Sequence, residues 1–385
     1  MVTRRDNHRC WSLLLVSSVL LGLRFMQTSH SLMSDEEKAG PKCSPVQSVG
    51  FAKTHKTASS SVQNILLRAG LAAGWNLALP AQGHVLLRPP GTKWNSQPFQ
   101  TAWLEEVAWR RMVEQEGYSA LLLHTIWNQR EVEHLLGRGQ DVKLITILRD
   151  PVDQFESMYD FFDFEAKLGM DLEQFVVEYV VRGKEMSRVN GFLGRNQQLW
   201  DLGLGDTQDL DLVASWVEQV DRDFNLVMIA EELEESLVLL SHVLCWSLVH
   251  LTSLRVNSRG NSQRTLLSTV AREHLRWWLE GDYKLYHHFT TKLQESKEQL
   301  GKRRLREGIE ELRRENRNLV QECRVEEVAD TRGLPSELRP GNTRVVGFNV
   351  TKQGAGCQLF AWNEAHFIDV VREKQIEKFL KWKEN

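Results

Sequence analysis

The chain has 385 residues, of which 42% are hydrophobic and 26% are charged. This balance is typical of a globular protein, and the length is sufficient for one large domain or two smaller ones. The net charge of -3 excludes a bulk attraction to nucleic acid. We therefore expect no nucleic acid partner, and any site for an anion must be built locally.

The N-terminus differs from the rest of the chain. Residues 1–10 are basic, and residues 11–26 are apolar apart from Arg24. We predict a cytosolic tail over 1–10 and a signal-anchor transmembrane helix over 11–26, because arginines before an apolar run keep the N-terminus in the cytosol. The run is short for a span of about 20 apolar residues, so a cleaved signal peptide and a buried helix are the alternatives.

This topology places four of the five cysteines in an oxidising lumen: Cys43, Cys245, Cys323 and Cys357. These four cysteines, an even number, can form two disulfides. The alternative is that they are buried free thiols. No C-x-x-C pair or His/Cys cluster is present, so we predict no metal site. An N-x-T sequon at 349–351 agrees with a luminal location.

The remainder predicts an α/β fold. Residues 27–44 are polar, contain Gly-Pro, and indicate a luminal stem. Four short runs rich in Val, Ile and Leu predict buried strands, at 45–51, 118–123, 142–148 and 224–230. Because enough residues for a helix separate consecutive runs, we predict βαβ units and a central, mainly parallel sheet flanked by helices. The catalytic domain is predicted over 45–385.

Three helices can be predicted from periodicity and end signals. Apolar residues recur at helical spacing after the first strand, and Gly70 is predicted to end that helix. Asp150 is predicted to cap a helix that has Pro151 in its first turn. Residues 291–325 predict one long charged helix whose charges form a solvated face.

The stretch GFAKTHKTASSS at 50–61 lies between the first predicted strand and its helix. Backbone amides of the turn before the helix can point at an anion, and the helix dipole adds to this. Lys56 supplies a mobile cation. His55 replaces the second glycine of a nucleoside-triphosphate P-loop, which makes a kinase the weaker reading. A serine-rich start in which Ser59 or Ser60 merely caps its own helix is the alternative.

A second cationic feature follows the third strand. Arg149 lies at the carboxyl end of that strand, where parallel sheets bind ligands, and its forked guanidinium suits a phosphate. Ser157, two helical turns further on, can donate to the same group. The alternative is a surface ion pair between Arg149 and Asp150. Taken together, the loop and Arg149 predict a clamp for two phosphates.

The segment FAKTHKTASSSVQNIL resembles the 5′-phosphosulfate loop of the galactose 3-O-sulfotransferases, Golgi type II membrane enzymes whose loop reads close to FLKTHKTASSTVLNIL. The similarity continues through ILRDPVDQFESMYDFF, LVMIAEELEESLVLLSHVLCW, RRLREGIEELRRENRNL and RVVGFNV. This resemblance implies a P-loop-like sulfotransferase fold and a single-pass type II location in the Golgi membrane. It also implies 3′-phosphoadenosine 5′-phosphosulfate as donor, no metal, and a galactose-terminated glycan of a glycoprotein or glycolipid as acceptor.

The resemblance assigns roles to particular residues. Lys56 would contact the bridging and sulfonate oxygens, and Arg149 and Ser157 would hold the 3′-phosphate. The segment GRNQQLWDLG is similar to the family, without a role that can be derived for Asn196 and Gln197. The loop residues implied to bind the donor are Lys53, Thr54, Lys56, Thr57, Ala58, Ser59 and Ser60, and Arg255, Asn257 and Arg259 either close over the 3′-phosphate or form a surface loop.

The acceptor hydroxyl must lose its proton during transfer, and a neutral histidine suits that task. His124 follows the second strand and matches a family histidine in a segment close to HMRF, so it is the preferred base. His55 is the alternative, as base or as sulfonate ligand. A histidine that ends a strand can also be purely structural.

This chain departs from the family pattern two residues after His124. Ile126 stands where the family has an arginine, and if that arginine orients acceptor or sulfonate, acceptor choice or activity changes. Trp94 and Trp127 are candidates for stacking on galactose, with packing as the alternative. A sulfotransferase for another sugar and a sulfotransferase-like binding protein without turnover are therefore the rival functions.

Overall fold

A computed structural model of the protein describes residues 43–88, 97–104, 107–137, 141–254, 267–342, 344–352 and 355–384. Within these ranges no helix is both long and apolar enough to cross a membrane. The predicted tail and anchor, most of the stem, Trp94, Arg255, Asn257 and Arg259 lie outside the described residues.

The strands form one central sheet and two small ones. The described strands are β1 (Ser48–Ala52), β2 (Val85–Leu86), β3 (Ala120–Leu121), β4 (His124–Thr125), β5 (Val142–Leu148), β6 (Leu226–Ile229), β7 (Val325–Val328) and β8 (Gly347–Val350). The central sheet has the order β3-β1-β5-β6, and every pairing in it is parallel. All four predicted strands belong to this sheet, so the predicted mainly parallel sheet is confirmed.

The register of the sheet determines what lies at its carboxyl edge. Ala52 at the end of β1 pairs with Thr146 of β5, and Leu148 pairs with Ile229 of β6. The chain therefore leaves these three strands at the same edge. In consequence the loop after β1 and Arg149 after β5 emerge side by side.

Helices flank this sheet. The described helices are α1 (Ser59–Ala73), α2 (Arg110–Glu116), α3 (Gln129–Leu136), α4 (Pro151–Phe161), α5 (Phe164–Leu168), α6 (Leu172–Phe175), α7 (Gln197–Asp201), α8 (Leu210–Asp223), α9 (Leu233–Leu244), α10 (Thr269–Trp278), α11 (Glu280–Leu300), α12 (Lys302–Cys323), α13 (Ala355–Gln358) and α14 (Glu364–Glu384).

One predicted helix end and one predicted continuous helix are wrong. Helix α1 continues through Gly70 to Gly74, whose φ of 68° is left-handed. Gly70 packs closely against Trp75 instead, since a Cβ at this position would lie 3.0 Å from the Trp75 ring. The predicted helix over 291–325 is two helices, because Gly301, with a φ of 88°, separates α11 from α12.

Two large hydrophobic clusters support the site. The first joins Val49 and Phe51 of β1 to Ile65 of α1 and Phe367 of α14. The second lies under α4 and contains Phe155 and its aromatic neighbours. A fully buried side chain of this kind contributes about 1.5–3 kcal/mol. The loop after β1 therefore rises from a rigid base.

The four cysteines predicted to be luminal form two disulfides. Cys43 pairs with Cys245 at the end of α9, and Cys323 at the end of α12 pairs with Cys357. The prediction that these four can form two bonds is confirmed, and buried free thiols are excluded at these positions.

Candidate active site

The loop between β1 and α1 has a backbone that few side chains adopt readily. Lys56 and Ala58 have φ angles of 59° and 65°, in the left-handed region. Ala58 is the N-cap residue of α1, and no side chain caps this helix. Ser59 donates to the carbonyl of Thr54 at 2.6 Å instead. The first-turn amides of α1 thus lack a side-chain acceptor, which makes this helix start a suitable anion site.

Two loop threonines brace the backbone from below. Thr54 donates from Oγ1 to the carbonyl of Ile147 in β5 at 2.5 Å, and its Oγ1 lies 2.6 Å from Oγ1 of Thr57. Both threonines are completely buried. Their hydroxyls therefore hold the loop against the sheet. Ser60, by contrast, is only half-buried at the start of α1.

Lys53, the first lysine of the loop, points into the protein. Its side chain has 0% exposure, and Nζ lies 2.6 Å from Glu364, the first residue of α14. Burial lowers the pKa of Lys53, against the opposing attraction of Glu364. Gln63 donates to the same carboxylate at 3.1 Å. The structure therefore places Lys53 in an internal ion pair that ties the loop to the C-terminal helix.

Lys56, the second lysine, behaves differently. It is partly exposed, and its Nζ lies 3.6 Å from the centroid of the Phe161 ring at the end of α4. A cation in this position is attracted to the face of the ring. Lys56 is thus the loop cation that can meet a ligand at the start of α1.

Arg149 reaches the same loop from β5. Its Nη1 donates to the carbonyl of Lys56 at 3.2 Å, and its Nε lies 3.9 Å from Glu231. Ser157 lies buried in α4, the helix that follows. The structure therefore brings the predicted phosphate loop and the predicted second cation together. The side chain of Asp150 is engaged elsewhere.

Asp150 caps α4 as the sequence predicts. Its Oδ1 accepts from the amides of Val152 and Asp153 at 3.0 and 3.1 Å, with Pro151 in the first turn. The hydroxyl of Tyr283 donates to the same carboxylate at 3.0 Å. This cap fixes the segment that carries Arg149.

The two candidate histidines lie in contact. The rings of His55 and His124 stack with their centroids 4.1 Å apart and 16° between their planes. His124 Nδ1 lies 2.9 Å from the carbonyl of Lys53. A carbonyl only accepts, so Nδ1 carries the proton and Nε2 the lone pair. Burial, with the nearby Lys53 cation, lowers the pKa of His124 well below its usual value.

His55 has a charged partner that the sequence analysis missed. Its Nδ1 lies 2.9 and 3.0 Å from the two oxygens of Asp201, and its backbone amide donates to the same carboxylate at 2.7 Å. Gln197 donates to Asp201 at 2.8 Å. The one available signal was the family-like segment GRNQQLWDLG, which contains both residues.

Two glutamines, also missed, fix the backbone around the site. Gln154 of α4 donates to the carbonyl of His55 at 2.9 Å. Gln198 accepts from the amide of Arg149 at 2.8 Å and donates to its carbonyl at 2.9 Å. Both glutamines lie in family-like segments, ILRDPVDQFESMYDFF and GRNQQLWDLG, but no periodicity in the sequence indicates these contacts.

The residues that follow His124 are packed inside the protein. Ile126 is 4% exposed and belongs to the cluster under α4. Trp127 is also 4% exposed and donates from Nε1 to Gln129 at 2.9 Å. Its indole is therefore a packing group and offers no open face to a sugar. In the part of the chain that the structure describes, no three His, Cys, Asp or Glu side chains are placed to hold a metal ion.

Sequence comparison with known proteins identifies the family of this chain. A profile described as Galactose-3-O-sulfotransferase matches residues 9–361. Galactose-3-O-sulfotransferase 2 of Homo sapiens is 31% identical, over 96% of this chain and 94% of that protein. The Sus scrofa protein of the same name is 30% identical, over 89% and 87%. Galactosylceramide sulfotransferase of Mus musculus is 28% identical, over 73% and 65%. The chain belongs to the galactose-3-O-sulfotransferase family.

Proposed function

We propose that this protein transfers sulfonate from 3′-phosphoadenosine 5′-phosphosulfate to the 3-hydroxyl of a β-galactosyl residue on a glycoprotein or glycolipid glycan. Family membership and the names of the relatives support sulfonate transfer to galactose. The observation that carries the proposal is the contact of Arg149 with the carbonyl of Lys56. This contact brings two positively charged residues together at one edge of the sheet. A donor with two separate phosphate groups requires such a pair of cations.

The residues at this edge fit such a donor by their chemistry. The start of α1 has no side-chain cap, so its amides can receive a phosphate. Lys56 and Arg149 add two positive charges, and Ser157 adds a hydroxyl from α4. When bound, the donor supplies a sulfonate group whose leaving group is a phosphate.

The residues of the chain then have separate roles in the transfer reaction. Lys56 stabilises the charge that develops on the leaving phosphate, a contribution that is largest in a water-excluded site. Arg149 and Ser157 hold the 3′-phosphate. One of the stacked histidines, His124 or His55, accepts the proton of the acceptor hydroxyl. Since the transferred group carries less charge than a phosphoryl group, none of these tasks requires a metal.

The location is also part of the proposal. We propose a single-pass type II protein of the Golgi membrane, with the domain after residue 44 in the lumen. The basic residues before the apolar run at 11–26 favour this orientation. Two disulfides per chain suit an oxidising compartment.

A labelled-sulfate transfer assay tests the function. Purified protein and donor are incubated with Galβ1-3GlcNAc, Galβ1-4GlcNAc, Galβ1-3GalNAc and galactosylceramide, and the labelled products are analysed by linkage. We expect label on the 3-hydroxyl of galactose in at least one acceptor. Label on another sugar would replace the acceptor assignment, and Mg²⁺-dependent ATP binding would favour a kinase.

A second candidate is a protein that binds donor or glycan without turnover. The observation that favours it is Ile126, which fills an apolar cluster where the resemblance implies an arginine. Calorimetry with 3′-phosphoadenosine 5′-phosphate, the desulfonated donor, separates the two functions. Binding of this nucleotide with no labelled transfer to any galactoside would establish the second candidate.

A further inference from the structure

We infer that Asp201 is a positioning residue that makes His55 the proton acceptor of the transfer reaction. This inference rests on the proposed function, since it assigns the base of that reaction. The sequence analysis preferred His124, and the contacts around the two rings favour His55.

The contact between Asp201 and His55 fixes the ring in one tautomer. Both carboxylate oxygens lie within 3.0 Å of His55 Nδ1. A carboxylate that is ionised only accepts, so Nδ1 carries the hydrogen and Nε2 holds the lone pair. The same carboxylate accepts the backbone amide of His55 at 2.7 Å. Asp201 thus orients the ring and the loop that carries it.

Asp201 is itself held in place. It is 3% exposed, and Gln197 donates to its Oδ1 at 2.8 Å. Gln197 is fully buried and accepts from the amide of Gly194 at 2.9 Å and from Arg188 at 3.2 Å. A carboxylate with this little freedom keeps the imidazole in a single orientation.

The other groups facing His55 leave Asp201 as its charged partner. His124 covers one face of the ring, Phe162 and Phe192 lie at 6.1 and 5.4 Å between ring centroids, and Gln154 binds the backbone carbonyl. None of these neighbours carries a fixed charge. Asp201 therefore stabilises the imidazolium that forms when a proton arrives at Nε2.

His124 has the weaker environment for the same task. The partner of its Nδ1 is the neutral carbonyl of Lys53, and the buried Lys53 cation opposes a second positive charge nearby. Its stacked contact with His55 supports the position of that ring. Both rings cannot become cationic at 4.1 Å without strong repulsion, so one base serves the site.

The reaction step balances with His55 as the base. The acceptor oxygen forms its bond to sulfur while its proton moves to Nε2 of His55. The bond between sulfur and the bridging phosphate oxygen breaks, and its electron pair leaves on the phosphate near Lys56. Asp201 accepts the Nδ1 hydrogen bond throughout and takes up no proton.

Asp201→Asn tests the inference in the full-length protein. The asparagine amide fits the same space but donates toward Nδ1, which moves the imidazole hydrogen to Nε2 and removes the lone pair. We expect kcat to fall by about 10²–10⁴ while the donor KM stays within about twofold. Nitrogen-15 NMR of labelled histidine should show Nε2 unprotonated in the wild type and protonated in the variant, which a merely structural carboxylate would not produce.

Asp282→Asn is the matched control. Asp282 is fully buried and accepts from the amides of Gln198 and Leu199 in α7, the helix that carries Asp201. It makes no contact with His55 among the described residues. We expect this variant to lose thermal stability while the tautomer of His55 stays unchanged and kcat changes less than about tenfold.

A second pair of variants guards against a folding defect in Asp201→Asn. We expect His55→Gln to lower kcat more than His124→Gln does. A larger loss in His124→Gln, an Nε2 hydrogen on His55 of the wild type, or more than half the wild-type kcat in Asp201→Asn would each overturn the inference. Absence of transfer by the wild type to every acceptor would instead overturn the proposed function, and the two failures are thus distinguishable.

Discussion

Two helices begin at the same edge of the central sheet, and they begin in opposite ways. Helix α4 starts after β5 with Asp150 accepting from two first-turn amides and with Pro151 in its first turn. Helix α1 starts after β1 with Ala58 in a left-handed conformation and no side-chain cap. The start of α4 is capped by a side chain of its own sequence, whereas the start of α1 has no side-chain cap.

The two helix starts differ in what they contribute to the candidate site: the start of α4 supports Arg149, and the start of α1 is the proposed anion site. The cap on α4 fixes the backbone beside Arg149, which Gln198 also holds at both its amide and its carbonyl. The arginine can then reach across to the open start of α1. In the proposed function the capped helix positions the cation, and the uncapped helix start receives the anion.

The largest expected effect is at the open helix start. We expect Lys56→Ala to lower kcat about 10³-fold, because it removes the cation that stabilises charge on the leaving phosphate. The fold should stay intact, since Lys56 is partly exposed and contacts a ring face. Labelled transfer measures the loss, with the exposed Lys352→Ala as control. Turnover near the wild-type level would remove Lys56 from the donor site.

The second largest effect is expected at Arg149, the cation that precedes the capped helix α4. We expect Arg149→Ala to weaken donor binding by about 1.5–3 kcal/mol, the scale of a hydrogen bond to a charged group. Calorimetry with the desulfonated nucleotide measures it, and Arg332→Ala, at an exposed arginine, is the control. An unchanged affinity would mean that the two helix starts do not share one ligand.

Giving α1 a side-chain cap should remove the difference between the two helix starts. Asp tolerates the left-handed conformation of Ala58, and its carboxylate would occupy the first-turn amides and repel phosphate. We expect Ala58→Asp to weaken nucleotide binding roughly tenfold without lowering the melting temperature. Ala58→Asn, a neutral cap of the same shape, should weaken it less. Equal affinity in all three proteins would show that these amides do not bind the donor.

Opening the capped helix start should produce the smallest effect on binding. Asp150→Ala removes the acceptor of two amides and of the Tyr283 hydroxyl, so we expect unfolding to become easier by about 1–2 kcal/mol. Urea denaturation measures the change, and nucleotide affinity should fall less than in Arg149→Ala. A loss of affinity without a loss of stability would assign Asp150 to the ligand instead of the helix.

Local patterns were sufficient for the parts of the fold that depend on neighbouring residues. Four apolar runs predicted the four strands of the central sheet, and β5 matches residues 142–148 in full. The cap by Asp150 follows from one residue and its successor. Gly70 and Gly301 show the limit, because a glycine packs against a ring in one case and breaks a helix in the other. Sequence position alone does not separate these uses.

Much of the site depends on contacts between distant residues. His55 and Asp201 are 146 residues apart, and Lys53 and Glu364 are 311 residues apart. The proximity of the loop lysine, Arg149 and the two histidines was predictable because parallel strands bring their carboxyl ends to one edge. The carboxylates that pair with Lys53 and His55 were not, because they come from helices whose packing onto the sheet is a property of the whole core.

The ion pair between Lys53 and Glu364 can form only late in the synthesis of the chain. At about 5–20 residues per second, the ribosome needs about 15–60 s to travel the 311 residues that separate the two. During that interval the lysine at the end of β1 has no carboxylate from α14, and burying its charge unpaired is costly. The loop is made first, yet its fully paired arrangement becomes available only near the end of translation. A chain that stops before residue 364 would keep most of the sheet and lack the partner of its first loop lysine.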